Sequence, residues 1–212
     1  MQNHQDVSIQ IEELANKYSG ELEKKISDRV DIMLEDDTSH YLIYRVLGIS
    51  TEEGKLIDIY QNKGRFLYRY AGSFLENATI ICFKHKFPDA MERYRIENVL
   101  TVRPKTFEID CLVGNEAFEI KWRDATTDGD HITKEHTRIK NIKEHGYIPI
   151  RIMFYYPNRE QAIRIQQTLK TLYLGVQGQY FFGDEAWDYI KNKTDIDIKA
   201  ILTNIADRRT GL

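Results

Sequence analysis

The run Phe107–Arg138, FEIDCLVGNEAFEIKWRDATTDGDHITKEHTR, decides how this chain folds. Phe107 to Val113 mixes apolar and charged residues in alternation, and Ala117 to Trp122 resumes the pattern. Between them Gly114-Asn115 suits a tight turn with positive φ, so the segment predicts a β-hairpin. Glu119 and Lys121 are two apart and project from one face of the second strand. Asp110, across the turn on the first strand, is placed to converge with them.

Two carboxylates and an ammonium at one point are costly unless something uses them. Oxygen ligands suit a hard divalent cation such as Mg²⁺, which takes one or two protein carboxylates and completes its shell with water and phosphate. Such a cation acidifies water and neutralises charge on a phosphoryl oxygen, while Lys121 orients the water or stabilises the pentavalent phosphorus. That is the chemistry of phosphodiester hydrolysis. The competing account is a charged strand face that is simply solvated. Against it stands the next segment: the strand runs into Trp122-Arg123-Asp124, a loop of Thr, Asp and Gly, and then a helix. Loops leaving the carboxyl ends of strands are where α/β sheets place binding groups.

Asp110, Glu119 and Lys121 resemble the PD-(D/E)XK nuclease signature, with Ile109 where the motif's proline often stands. The following run, Trp122 to Ile132 (WRDATTDGDHI), is similar to type II restriction endonucleases of the ApaLI-like group. The resemblance spans residues 50–160. It implies a restriction-endonuclease-like core, a Mg²⁺ cofactor held by Asp110 and Glu119 with the Ile120 carbonyl as a third ligand, and Lys121 at the nucleophilic water. It also implies an extra carboxylate from a helix before the hairpin, for which Glu76 is the candidate by position. The family's target is a short palindrome such as GTGCAC.

Composition sets further bounds. The 212 residues suffice for one core, and 42% hydrophobic content is that of a globular chain. No apolar run is long enough to span a membrane, and the polar start MQNHQDVS reads as no signal peptide. The two cysteines, Cys82 and Cys111, offer neither zinc spacing nor a disulfide framework, so buried thiols and a cytoplasmic location are expected. A net charge of −3 disfavours a protein that coats nucleic acid non-specifically and leaves a sequence-specific enzyme open.

Along the chain, apolar residues from Val7 to Met33 at spacings of three and four predict a helix over residues 6–35, interrupted near Ser19-Gly20. A short helix ending near Gly48 follows, then one beginning at Thr51 with Glu52 and Glu53 in its first turn. Arg65, Arg69, Gly72 and Glu76 share one face of it, which reads either as a phosphate-facing surface or as a solvated one. Lys84, Lys86, Arg93, Arg95, Arg103 and Lys105 make a basic patch that either tracks a phosphate backbone or is solvated. Ile96 to Val102 is expected to form an edge strand.

After the hairpin, Asp130 or Thr133 caps a helix that Gly146 ends. Arg123, Asp124, Thr126, Thr127, Asp128, His131, Lys134 and Arg138 gather there, and donors and acceptors of both signs suit base reading. Residues 146–156 read as a central strand reached by a right-handed parallel crossover. Asn158 starts a further helix, residues 176–187 hold a short strand or hairpin, Asp184 caps the next helix, and Asp195 or Asp197 the last.

The expected fold is α/β: a mixed central sheet flanked by helices in one nuclease domain over residues 1–212, with a helical part at 6–50, a catalytic core at 51–160 and a helical part at 158–212. The expected function is a homodimeric type II restriction endonuclease acting on double-stranded DNA with Mg²⁺, its cognate methyltransferase a separate protein; two-fold protein symmetry matches a palindrome. A repair or Holliday-junction nuclease on the same core, and a non-catalytic DNA-binding protein, are the alternatives.

Overall fold

The computed structural model describes residues 2–123 and 130–211. Its elements are helices α1 (Gln2–Leu34), α2 (Tyr41–Val46) and α3 (Thr51–Lys86), then strands β1 (Met91–Glu97), β2 (Thr106–Val113) and β3 (Glu116–Arg123). There follow α4 (Asp130–Glu144), β4 (Ile148–Tyr155), α5 (Glu160–Gly175), β5 (Gln179–Phe182), α6 (Asp184–Thr194) and α7 (Ile198–Thr210). Residues 1–11 and 75–212 form one compact unit and residues 12–74 another.

The first unit is built on a five-stranded mixed sheet in the order β1-β2-β3-β4-β5. β1, β2 and β3 run antiparallel: residues 98–105 loop from β1 to β2, and the two-residue turn Gly114-Asn115 reverses the chain into β3, Gly114 supplying the positive φ (+58°). β3 to β4 is the parallel crossover through α4, and β5 adds parallel to β4. β4 reads IPIRIMFY and is buried through its middle, as a strand with neighbours on both sides must be. Gly146, at φ +81°, turns the chain out of α4, its N–H donating to the Lys143 carbonyl at 2.9 Å.

Successive side chains on β3 serve opposite faces. Ala117 packs in a cluster with Ile96, Ile109, Leu112 and Ile142 of α4, while Phe118 meets Phe83 of α3 at 4.4 Å between ring centroids. Beyond the first cluster, Ile139 of α4 packs with Ile165, Leu169 and Tyr173 of α5. On the other face Trp187 of α6 lies 4.2 Å from Phe154, and Tyr189 stacks on Phe181 at 4.1 Å. Helices thus cover both faces of the sheet. In the second unit Tyr18 of α1 packs edge-on against Tyr70 and Phe74 of α3, each at 6.0 Å. Among the described residues no helix is long and apolar enough to cross a membrane.

Four local expectations are corrected. The edge strand lies at Met91–Glu97, five residues before the Ile96–Val102 expected, because Asn98 diverts the chain. Its side chain accepts from the N–H groups of Leu100 and Thr101 and donates to the Pro104 carbonyl. α1 passes through Ser19-Gly20 unbroken; one helical glycine costs only about 1 kcal/mol. α5 begins at Glu160 behind Arg159, not at Asn158. Gly183 (φ +57°) takes the N-cap position before Asp184. Asp197, accepting from the Ala200 N–H at 3.0 Å, caps α7 as expected.

Candidate active site in the fork of a hairpin

β2 and β3 pair from Val113–Glu116 to Cys111–Phe118, and among the described residues the ladder ends there. Beyond it each strand stays with its outer neighbour, β2 with β1 as far as Thr106 and β3 with β4 as far as Arg123. The hairpin is therefore a fork, and its crotch falls at Asp110 and Glu119. The backbone groups freed there need partners. Asp110 provides one: its Oδ2 accepts from the Ile120 N–H at 2.7 Å.

The side chains converge. Lys121 Nζ lies 2.6 Å from Glu119 Oε1 and 3.9 Å from Asp110 Oδ2. Arg138, on α4, pairs with Glu119 Oε2, approaches Asp110 Oδ1 to 4.0 Å and donates to the Glu108 carbonyl at 2.5 Å. Behind it stands a buried relay that the sequence reading missed. Glu135 lies 3.8 Å from Arg138, 3.2 Å from Arg151, and accepts from the Tyr173 hydroxyl at 2.5 Å. Two signals pointed to it: Glu135 and Arg138 sit three apart on one helical face, and Arg151 is a lone charge in an apolar strand.

The electrostatics follow from burial. Asp110 is pushed up to about 7, first by desolvation and then by neighbouring Glu119, with Lys121 and Arg138 pulling the other way. Burial also works to raise Glu119, but Arg138 and Lys121 outweigh it and hold the carboxylate well below its usual range. Desolvation disfavours the charge on Lys121, yet Glu119 and Asp110 overcome it and raise the amine. Glu76, on the part of α3 that belongs to this unit, is raised by its own burial, with Lys121 lowering and Glu119 raising it. The structure therefore brings Asp110, Glu119, Lys121 and Glu76 into one electrostatic neighbourhood.

A further residue belongs to it. Arg93 occupies the β1 position across from Asp110, where the β1–β2 register skips a pair, and its φ is +50°, a strained value for a side-chain-bearing residue. Its charge is felt by Glu76.

The remaining expected residues are distributed as follows. Arg123 is exposed at the end of β3, and His131 and Lys134 lie in the first turns of α4. Arg138 is turned inward onto Glu119, with its side chain only 14% exposed, rather than out toward the loop as expected. Asp124, Thr126, Thr127 and Asp128 lie outside the described residues. Arg65 and Arg69 belong to the second unit, where Arg65 stacks 5.3 Å over Phe66 and Arg69 lines a recess with Tyr18, Glu21 and Lys25.

Among the described residues no cluster of three or more His, Cys, Asp or Glu side chains is arranged as a metal cage. Mg²⁺ does not ask for one, since one or two carboxylates with water and phosphate satisfy it. Asp110 and Glu119 fit that requirement: they are adjacent and oxygen-only, Glu119 buried and Asp110 nearly so, and desolvation together with the charge of Glu119 keeps the proton on Asp110 to about neutrality. Ile120 enters the site through its N–H rather than through any described carbonyl contact.

A mixed sheet covered on both faces by helices, with acidic residues and a lysine where two neighbouring strands part, is a restriction-endonuclease-like α/β core. Compared with protein-family models, the chain matches the ApaLI-like restriction endonucleases over residues 1–207, and it belongs to that family. It is thus a nuclease, a DNA-binding hydrolase. The match reaches well beyond the residues 50–160 on which the resemblance was read. No curated protein and no solved structure matches the chain.

Proposed function

We propose that this protein is a type II restriction endonuclease that hydrolyses double-stranded DNA with Mg²⁺ at a specific short palindrome, GTGCAC or one like it. The observation that carries the reading is the convergence of Lys121 on two carboxylates at the hairpin fork, 2.6 Å from buried Glu119 and 3.9 Å from Asp110, in a chain whose family cuts DNA.

Asp110 and Glu119 hold the cation, with Glu76 completing the acidic surround and Ile120 the rim. The cation, when bound, neutralises charge at the scissile phosphate and makes a water more acidic. Without the cation, Glu119 and Asp110 raise the Lys121 amine, and its place beside both carboxylates suits a cationic donor to the attacking water or to the phosphoryl oxygens. Arg138 is a positioning residue: tied to the Glu108 carbonyl and backed by Glu135, it fixes Glu119. Arg123, Asp124, Thr126, Thr127, Asp128, His131 and Lys134 read or grip DNA, and Arg65 and Arg69 meet phosphate.

We further infer a homodimer, each copy cutting one strand of the two-fold target, and a separate cognate methyltransferase. Residues 1–212 act as one nuclease domain, a reading supported by the span of the family match. Buried, unpaired Cys82 and Cys111 suit a reducing cytoplasm.

Incubation of supercoiled plasmid with the protein and Mg²⁺ tests this. Discrete bands that vanish with EDTA are expected, and their ends give the target. Branch-dependent nicking would instead mark a junction nuclease, and retention without cutting a binding protein. Lys121→Ala is expected to lose at least about 10²-fold in rate, the value of one transition-state donor, with an unchanged circular dichroism spectrum.

A further inference from the structure

α4 has a second working face. While Glu135, Arg138 and Ile139 point at the carboxylates and the core, Thr133, Lys134 and Thr137 line an open cleft whose opposite wall is Thr101, Arg103, Pro104 and Phe107. Its volume is about 640 Å³. The opposite wall is not a loose loop. Asn98 organises it by accepting from the Leu100 and Thr101 N–H groups, and its own N–H donates to the Lys105 carbonyl at 2.9 Å. The wholly buried Asn141 of α4 then fastens it, accepting from the Val99 N–H at 2.8 Å and donating to Asn98 at 3.0 Å. A preorganised wall loses little entropy when something docks on it.

Charge says what docks. Of the basic stretch at 84–105, Lys84 is spent on Glu92, Lys86 on Asp195 and Arg95 on Glu108. Among the described residues Arg103 makes no ion pair, nor does Lys134 across the cleft, and no carboxylate lines the space between them. Two exposed cations facing one recess, with no acid between them among the described residues, are complementary to an anion. Of the three lining threonines, Thr137 and Thr101 donate their hydroxyl protons to the Thr133 and Arg103 carbonyls, which leaves the Thr133 hydroxyl to meet a phosphate oxygen; the apolar surfaces of Phe107 and Pro104 suit a deoxyribose.

Phe107 adjoins Glu108, whose carbonyl takes the Arg138 bond, so the cleft begins beside the catalytic fork. We propose that this cleft is a second DNA-binding site, holding the sugar–phosphate backbone of the substrate duplex that flanks the cleaved bond, with Arg103 and Lys134 on phosphate. The assignment rests on the nuclease reading above and adds a grip that is separate from base reading. Phosphate contacts set position and affinity without carrying sequence information.

The test is binding of a fluorescent duplex lacking any cleavage site, in Ca²⁺, as a function of salt, alongside plasmid cleavage in Mg²⁺. Arg103→Gln is expected to weaken duplex binding on the order of tenfold, the worth of one charged hydrogen bond, and to reduce the salt slope by about 0.9, the value for one phosphate. The loss should appear in the KM for DNA, and Arg103→Lys should restore most of it. Arg164→Ala, which removes another exposed cation, on α5, should change neither quantity and so controls for net charge. If wild type and Arg103→Gln share one affinity and one salt slope while both cut plasmid, the cleft is not a DNA site and the nuclease reading stands. A wild-type protein that neither binds nor cuts DNA overturns both.

Discussion

The hairpin of β2 and β3 has two halves that behave as different materials. From Cys111–Phe118 to the turn, the strands exchange ladder hydrogen bonds and bury Cys111, Leu112, Ala117 and Phe118. From Asp110–Glu119 outward they part, and carboxylates and cations fill the gap. The same two strands thus spend their backbone groups on each other in one half and release them in the other. Ladder pairing and site chemistry compete for one backbone, and the functional groups gather where pairing stops.

Matched substitutions on the two sides should separate these roles most sharply. Glu119→Ala takes from Lys121 and the largely buried Arg138 the nearest of their carboxylate partners, which is expected to cost about 3 kcal/mol, the low end for breaking a buried pair, as well as all cleavage. Phe118→Ala, one residue toward the turn, is expected to cost a similar 3–5 kcal/mol through its cavity while each folded molecule still cuts. Denaturant titration paired with plasmid cleavage reads both; a Phe118→Ala protein that is folded yet inactive would erase the division.

Asp110→Asn gives the next effect and has a defined pH signature. The native carboxyl keeps its proton to about 7, whereas the unfolded chain releases it near 3.8. Because the folded value is raised, this group's contribution to stability is full below 3.8, declines as pH rises toward 7, and levels off above. In EDTA, wild-type stability should therefore fall over that window and the Asp110→Asn protein should fall less, while cleavage is lost. Equal slopes in the two proteins would show that Asp110 is not held protonated. Smallest is Gly114→Ala at φ +58°, expected to cost about 1 kcal/mol with cleavage unaltered.

The paired half was readable because its information is local: alternation, then Gly-Asn, then alternation again. The crossover was readable for the same reason, since Gly146 and the apolar run after it mark the end of a helix and a central strand. The convergence of Asp110, Glu119 and Lys121 followed from strand geometry. What escaped were pairings between distant elements. Nothing near Arg138 in the sequence tells that its guanidinium turns inward to Glu119, because that depends on how far α4 lies from β3. The position of β1 escaped for a different reason: MERYRIE alternates weakly, as an exposed edge does, and the chain's course after it is set by Asn141, more than forty residues later.

One helix, α4, touches both the fork and the neighbouring cleft. Arg138 braces Asp110 and Glu119 from one side of it, and Lys134, one turn earlier, stands at the wall of the neighbouring trough. A rigid rod of that kind acts as a ruler. With the proposed site on one side of α4 and the proposed duplex cleft on the other, helical pitch would set the spacing between the bond that breaks and the duplex held beside it, and the protein would measure before it cuts.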